Sequence, residues 1–247
     1  MKYERRKRED GKYAIFYESG RMVTKEWYDY VSLDGLVKGQ SPYYIATKDG
    51  KEAIFDEKGN QISPWFDGIE IYGLVEGKSK YYAVKENGKM AIFDKDGKQV
   101  SDWFDLIWLE GLVRGQSKYY VAEKNEKWAI FDVNGNQISQ WFDLILPSGL
   151  VFGQSRYYVA EKDEKYAIFD ESGRMITKEW YEYVSQDGLV RGHTDYYVAG
   201  KDGKMAIFDK DGNQITQWFD WIEVYSLVRG RLDISITKWS DRIEVYG

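Results

Sequence analysis

An all-β chain built from tandem repeats is the fold class this sequence predicts, and three observations predict it. An Ala-Ile-Phe run recurs at Ala14, Ala53, Ala91, Ala129, Ala167 and Ala206, with separations of 39, 38, 38, 38 and 39 residues. A fixed period of this size belongs to propellers, solenoids and arrays. Aromatic residues, which favour strands, make up 17% of the chain, including 21 Tyr and 10 Trp. Glycine is frequent and proline rare, 24 against 3, as many tight turns require. The repeat runs end to end through all 247 residues, so one repeat domain, 1–247, of about six and a half units is expected.

The third unit stands for the others. Gly111-Leu112-Val113-Arg114-Gly115 reads as a short apolar strand ending at glycine, and Gln116-Ser117-Lys118 as a loop. Tyr119 to Lys124 reads as a second strand, and Asn125-Glu126 as a hairpin turn whose counterparts are Asp49-Gly50 and Asp202-Gly203. Trp128 to Asp132 is a third strand, Val133-Asn134-Gly135 another turn, and Gln137-Ile138-Ser139 with Trp141-Phe142-Asp143 a fourth strand or short extended segment. Four strands in about 38 residues suit a propeller blade.

In the third strand Trp128 and Ile130 share one face and Ala129 and Phe131 the other. Apolar residues on both faces imply sheets stacked on sheets rather than one sheet with a face in water. Six Leu-Val segments, seven of Tyr-Tyr type including degenerate ends, seven Ala-Ile-Phe segments and six Trp-Phe segments are present. These counts suit a six- or seven-bladed β-propeller. The alternative is an open superhelical β-solenoid, whose terminal repeats are ordinarily atypical and polar. The ends here are of that kind: Arg5-Arg6-Lys7-Arg8 falls in the first Tyr-Tyr segment, and Ile234-Ser235-Ile236-Thr237 stands for the last. The two 39-residue units carry one extra residue just before tryptophan, within near-identical blocks, Glu18–Tyr28 and Glu171–Tyr181. Such identity points to units copied as blocks.

Composition excludes several kinds of chemistry. Without cysteine there are no disulfides, zinc-thiolate sites or thiol nucleophiles, and cysteine usage leaves the redox compartment open. A net charge of −6 excludes a bulk basic surface for nucleic acid, though not a local basic patch. No run is long and apolar enough for a transmembrane span, and none resembles a signal peptide: Met1 to Asp10 is densely charged. A cytoplasmic location is expected on that basis; a leader removed earlier would leave no trace.

Lys127-Trp128-Ala129-Ile130-Phe131-Asp132-Val133-Asn134-Gly135-Asn136-Gln137-Ile138 resembles the bacterial WG repeat, roughly Lys-Trp-Gly-Phe-Ile-Asp-x-x-Gly-x-x-Val. Trp141-Phe142-Asp143 is similar to that family's Tyr-Asp segment, and Gly149-Leu150-Val151 to its Gly-Leu-Ala. The likeness covers nearly the whole chain but its motif is loose. Alanine replaces the family glycine in every unit. Tryptophan precedes it only at Trp128, the other units having Tyr13, Glu52, Met90, Tyr166 and Met205. The Gln-Ser-x-Tyr-Tyr segment lengthens the first hairpin. The resemblance implies a β-repeat scaffold without assigned activity, and no catalytic residues transfer with it.

His193, the only histidine, replaces Gln40, Gln116 and Gln154 of equivalent loops and reads as a solvated loop residue. Turns such as Asp94-Lys95-Asp96-Gly97 lack the oxygen count of a calcium loop; aspartate capping turn N–H groups explains them, and no metal or cofactor is expected. Asp67, Asp105, Asp143 and Asp220 follow Trp-Phe, with Asp29 and Glu182 after Trp-Tyr. Acid–base work needs unlike environments in one cleft, whereas a repeat gives like ones, so a structural bridge is expected. In the tyrosine pairs from Tyr43-Tyr44 to Tyr196-Tyr197, one ring should be core and the other could stack on sugars.

The residue after Leu-Val varies: Lys38, Glu76, Arg114, Phe152, Arg191 and Arg229. With Arg5, Arg6, Lys7 and Arg8, its basic members are the best local case for an acidic partner or nucleic acid. The expected function is a non-enzymatic scaffold binding another macromolecule, a protein first, through loops and variable strand positions; Lys38, Arg114, Phe152, Arg191, Arg229 and His193 are the candidate contacts. The alternative is a lectin-like carbohydrate-binding module using exposed tyrosines. An enzyme on the same frame is disfavoured, and no membrane partner is expected.

Overall fold

The computed structural model describes residues 3–223, 235–239 and 242–246, and from residue 223 onward only the backbone is described. Every regular element among them is a strand. Two compact units are distinguished, residues 1–116 with 133–135, and residues 117–132 with 136–247.

In the first unit lie β1 (Tyr3–Lys7), β2 (Tyr13–Tyr17), β3 (Tyr30–Val31), β4 (Tyr43–Lys48), β5 (Lys51–Asp56), β6 (Gly68–Ile69), β7 (Tyr81–Glu86), β8 (Lys89–Asp94) and β9 (Leu106–Ile107). They form a β1-β2 pair and the antiparallel sheets β3-β4-β5 and β6-β7-β8. The second unit holds β10 (Tyr119–Lys124), β11 (Lys127–Asp132), β12 (Leu144–Leu146), β13 (Tyr157–Lys162), β14 (Lys165–Asp170), β15 (Tyr183–Val184), β16 (Tyr196–Lys201) and β17 (Lys204–Asp209). After these come β18 (Trp221–Glu223), β19 (Ser235–Trp239) and β20 (Arg242–Tyr246). β12-β13-β14 and β15-β16-β17 repeat the antiparallel pattern, and β10 pairs β11. The last sheet departs from it: β18 pairs β20, in parallel, and not β19.

The fold class is therefore all-β with tandem three-stranded sheets, and the repeat sets the sheets. The hairpins follow from turn chemistry. Asp49 and Gly50 have φ of 53° and 76°, and Asn87 and Gly88 of 53° and 75°. Two successive positive φ values make the type I′ turn that matches strand twist. Asn125-Glu126 and Asp163-Glu164 hold the same geometry without glycine, Glu126 at 60° and Glu164 at 59°.

Two strand assignments are corrected. The Gly-Leu-Val-x-Gly segment is a turn, not a strand. Gly35 and Gly39 both have positive φ, the Leu36 N–H bonds back to the Tyr43 carbonyl, and the Gln40 N–H bonds to the Gly35 carbonyl. Leu36 and Val75 are buried, so the segment is apolar because it docks on the core. The Trp-Phe segment makes only an isolated bridge, Phe66 to Glu52 or Phe142 to Trp128, and the short strand follows it. A complete repeat among the described residues thus has three strands where four were expected.

The two-faced burial is as predicted. Ala53, Ile54 and Phe55 are consecutive and all buried, as are Ala167, Ile168 and Phe169. The second tyrosine of each pair lies across the hairpin from a phenylalanine and stacks on it, Tyr44 on Phe55 at 5.5 Å and Tyr197 on Phe208 at 5.3 Å. Such ring pairs add roughly 1 kcal/mol each beyond the area they bury.

Candidate functional site

The repeated polar side chains are consumed by the frame. Asp67 Oδ2 accepts the Asn87 N–H at 2.8 Å while Oδ1 meets Lys51 Nζ at 3.0 Å. Lys51 lies in the hairpin before Asp67 and Asn87 in the hairpin after it, so the carboxylate ties successive hairpins together. Asp29 does the same with Lys12 and Asp49, and Asp143 with Lys127 and Asp163. The Asn87 N–H and then Lys51 hold the Asp67 carboxyl below its ordinary pKa. The bridge role expected of these acids is the observed one. In the Asp-x-x-Gly turns, Asp56 Oδ1 accepts the Lys58 and Asn60 N–H groups at 2.9 and 2.8 Å. Asp209 does likewise for Asp211 and Asn213.

The row after Leu-Val lies in the docked turns, not on strands. Lys38, Arg114 and Arg191 are exposed and Phe152 is half-buried, while Arg229 lies outside the described residues. Within the first unit the turns of successive repeats touch: a Cβ on Gly77 would meet the Gln40 carbonyl at 2.3 Å, and one on Gly115 the Lys78 carbonyl at 2.2 Å. Serines staple them, Ser41 Oγ to the Val75 carbonyl and Ser79 Oγ to that of Val113, as Ser117 and Ser155 do for Val151 and Val190 in the second unit. The row is therefore continuous within a unit, but its charge is not free. Lys38 pairs with Asp34 at 2.6 Å, Arg191 with Asp187 at 2.8 Å and Arg114 with Glu110 at 3.7 Å, each acid four residues earlier in the same turn. Arg114 also lies over the Tyr72 ring.

The amino-terminal basic run is similarly committed. Arg6 pairs with Glu4 and Arg8 with Asp10. Arg5 sits over the Tyr13 ring at 4.8 Å and the Tyr30 ring at 5.0 Å, and donates to the Val31 carbonyl at 2.7 Å. Lys7 lies over Tyr13, Arg6 over Phe16 and Arg8 over Trp27.

His193 is exposed, as expected, and its place in the loop now has a meaning. Gln40 Oε1 accepts the Gly35 N–H at 2.9 Å, and Gln116 and Gln154 cap Gly111 and Gly149 in the same way. The His193 N–H still bonds to the Gly188 carbonyl, but no side-chain cap on Gly188 is found there among the described residues. The tyrosine pairs offer no exposed ring: Tyr81 and Tyr119 are buried and Tyr43, Tyr157 and Tyr196 half-buried, while each second member is buried completely.

A feature that sequence reading missed is the first position of the short strands. Tyr30 is 46% exposed, Leu106 and Tyr183 40%, and Trp221 50%, whereas the next residue is buried each time. In these four repeats a large apolar side chain stands exposed at one register position, distinct from the Leu-Val position; Gly68 and the half-buried Leu144 hold it in two others. The signal was present as Phe-Asp-x-Ile and Tyr-x-Tyr-Val, where the apolar residue inside the alternation stands on the polar face.

Among the described residues no group of acids and histidines is placed to hold a metal, and no helix is long and apolar enough to cross a membrane. No family model and no curated protein matches the chain, so its likeness to WG repeats rests on its residues alone. Solved structures do resemble it. Kluyveromyces lactis Hsv2, with complete loop 6CD, is 9% identical over 87% of this chain and 73% of its own, at a TM-score of 0.36. A eukaryotic initiation factor is 10% identical over 87% and 72%, at 0.40. The β-propeller domain of Myceliophteria thermophila Cps50 (Swd1) is 12% identical over 87% and 82%, at 0.32. No ligand or activity passes from them to this chain.

Proposed function

We propose that the chain is a non-enzymatic repeat scaffold that binds another protein through residues that vary from unit to unit. One observation carries this reading: the polar groups that recur are engaged within the frame, and at two repeated positions whose residue changes from unit to unit most of the side chains are exposed. Asp67 and Gln40 serve the backbone, whereas Lys38, Arg114, Phe152 and Arg191 share one position, and Tyr30, Leu106, Tyr183 and Trp221 another. A reacting site needs groups of unlike environment converging on one place; a regular frame with a varied surface is what recognition needs. The engaged cations shift the expected contact chemistry from bulk charge toward shape and aromatic surface.

Affinity capture from the native source tests the reading, using the natural chain beside Phe152→Ser and Trp221→Ser variants. Retention of a defined protein that at least one variant loses is expected. Specific retention of a small molecule alone, or of nothing, would overturn it.

A further inference from the structure

The complete sheets show how a Tyr-Tyr strand receives its short neighbour. In β4 the carbonyls of Tyr43, Ile45 and Thr47 accept the N–H groups of Leu36, Ser32 and Asp29. In β16 those of Tyr196, Val198 and Gly200 accept from Leu189, Ser185 and Glu182. β1 holds the corresponding place in the first sheet, with Tyr3, Arg5 and Lys7 at the three positions. Its register turns the same groups outward. Lys7 stands opposite Tyr13, whose N–H and carbonyl both bond to Tyr28 on the other side. Among the described residues β1 pairs only with β2, and no backbone N–H reaches the carbonyls of Tyr3, Arg5 or Lys7. An unpaired strand edge of this kind is a template for a further strand.

The other sheets also show which strand fits. A short strand follows an acid and places Ile or Val second, as in Asp29-Tyr30-Val31, Asp67-Gly68-Ile69 and Glu182-Tyr183-Val184. Lys7 and Lys85 are the cations at their register position, where other Tyr-Tyr strands hold Thr47, Glu123, Glu161 and Gly200. Lys85 is answered by Glu70, the residue after Ile69, at 2.9 Å. At the position of Glu70 the segments whose strand faces no lysine hold Ser32, Trp108, Leu146 and Ser185. Lysine in the long strand thus goes with Asp-x-Ile-Glu in the short one. Lys7 is exposed, and no acid pairs with it among the described residues.

Two further segments carry that pattern. Ile236-Thr237-Lys238-Trp239-Ser240-Asp241-Arg242-Ile243-Glu244-Val245-Tyr246 repeats Ile215 to Tyr225 with eight of eleven residues identical. β20 is therefore a second copy of β18 and belongs with the short strands rather than with Ala-Ile-Phe. The two copies pair in parallel, each residue beside its own duplicate: Ile222 with Ile243 and Glu223 with Glu244. Parallel pairing is the weaker kind per residue, so β20 gains by moving to an antiparallel partner. Within one chain, Asp67 to Glu70 already serves β7, and the two terminal copies hold each other.

We infer that the outer edge of β1 is a strand-acceptor site for a second copy of this chain, and that the donated strand is β20 of that copy. Asp241 and Glu244 of the second copy give their N–H groups to the carbonyls of Lys7 and Arg5, Ile243 takes the place that Val31 holds in the next sheet, and the Glu244 carboxylate meets Lys7 as Glu70 meets Lys85. The contact joins unlike surfaces of the two copies, so it produces head-to-tail or reciprocally exchanged assemblies.

The probe is a capped peptide of residues 236–247, with its Glu244→Lys form as control, titrated against the full chain. Light scattering over a range of concentrations reads association of the chain itself. Saturable peptide binding and concentration-dependent association are expected, and both should be lost in Lys7→Pro, which removes only an outward N–H of an edge strand. The Glu244→Lys peptide should bind about fivefold more weakly, the scale of one exposed ion pair. Full chains carrying Lys7→Glu and Glu244→Lys should each associate weakly alone and recover the natural midpoint when mixed, because mixing restores both pairs. Glu244→Lys leaves β1 untouched, which keeps the test open should Lys7→Pro fail to fold. A chain that stays monomeric at every concentration, a peptide that does not bind, equal binding of the control peptide, or a mixture no better than its components would each overturn the inference.

Discussion

Glu18–Tyr28 and Glu171–Tyr181 differ only at Val23 against Ile176, and their frames behave alike. Lys25 reaches Asn60 at 3.1 Å, and Lys178 reaches Asn213 at 2.9 Å. Glu26 pairs with Lys48, and Glu179 with Lys201. Thr24 and Thr177 are both buried with their hydroxyls unpartnered. In a unit without the insertion, Ser63 Oγ at the corresponding place accepts the Ile54 N–H at 2.9 Å. What differs is the residue just before each block. Tyr17 receives the Arg21 guanidinium on its ring at 4.4 Å. Asp170 is buried and pairs with Arg174 at 3.0 Å. A single neighbour therefore decides whether the same arginine stacks or forms an ion pair. The frame fixes where a side chain stands, and the few residues that vary decide what it meets.

The largest expected effect tests whether the two frames are equivalent. A Cβ on Gly59 would meet the Val23 carbonyl at 2.5 Å, and one on Gly212 the Ile176 carbonyl at 2.4 Å, with φ of 75° and 76°. Backbone cannot yield there as a side-chain end could. Gly59→Ala and Gly212→Ala should each lose roughly 3 kcal/mol, combining left-handed strain with overpacking. Gly50→Ala, at positive φ in open space, should lose only about 1 kcal/mol. Chemical denaturation measures all three, and a Gly212→Ala variant as mild as Gly50→Ala would break the equivalence.

Asp170 supplies the next effect, in one region only. Burial pushes its carboxyl up, but hydrogen bonds from the Ser172 hydroxyl and N–H and from Arg174 outweigh this and hold it at about 2. A carboxyl depressed in the folded state contributes stability that is present above its unfolded pKa and is lost as pH falls through the folded value. Asp170→Asn should therefore cost about 2 kcal/mol at neutral pH. The difference from the natural chain should narrow between about pH 4 and pH 2. Thermal melts across that range check it, and a difference that persists at the acid end would contradict the sign.

A smaller change runs in the stabilising direction. Gln40 caps Gly35 in the loop after the first block, whereas His193 stands in its place after the second. His193→Gln should gain about 1 kcal/mol, the net worth of one restored hydrogen bond, as a higher denaturation midpoint with unchanged slope. The smallest effect is common to both regions. Tyr44 and Tyr197 are fully buried and their hydroxyls are unpartnered. Tyr44→Phe and Tyr197→Phe should change stability by no more than about 0.5 kcal/mol, because no hydrogen bond is lost. A loss several times larger at either would mean that its hydroxyl is bonded after all.

Much of this was legible in the chain because repetition amplifies weak local signals. Asp49-Gly50 read as a hairpin turn, and even Asn125-Glu126 was placed correctly by its position in the period. Apolar residues on adjacent positions of Ala-Ile-Phe correctly implied burial on both faces. The Leu-Val segment misled because two apolar residues have no period; a strand and a docked turn look the same at that length. The glycines at both its ends, Gly35 and Gly39, were the turn signal. The variable, mostly basic position after Leu-Val was legible as a repeated position, and the acids that hold three of its cations, Asp34, Glu110 and Asp187, stood four residues upstream in plain view.

The carboxylate that joins one hairpin to the next has a further consequence for how such a chain can change over generations. Asp67 carries one link backward, to Lys51, and one forward, to Asn87. A stretch of one period, wherever it is cut, brings a complete pair of connectors with it. Copying that stretch inserts a unit whose two junctions already fit their neighbours, so lengthening requires no compensating substitution. Inheritance by whole blocks, visible in Glu18–Tyr28 and Glu171–Tyr181, is then the easy path, and later drift at the exposed positions can adapt each copy separately.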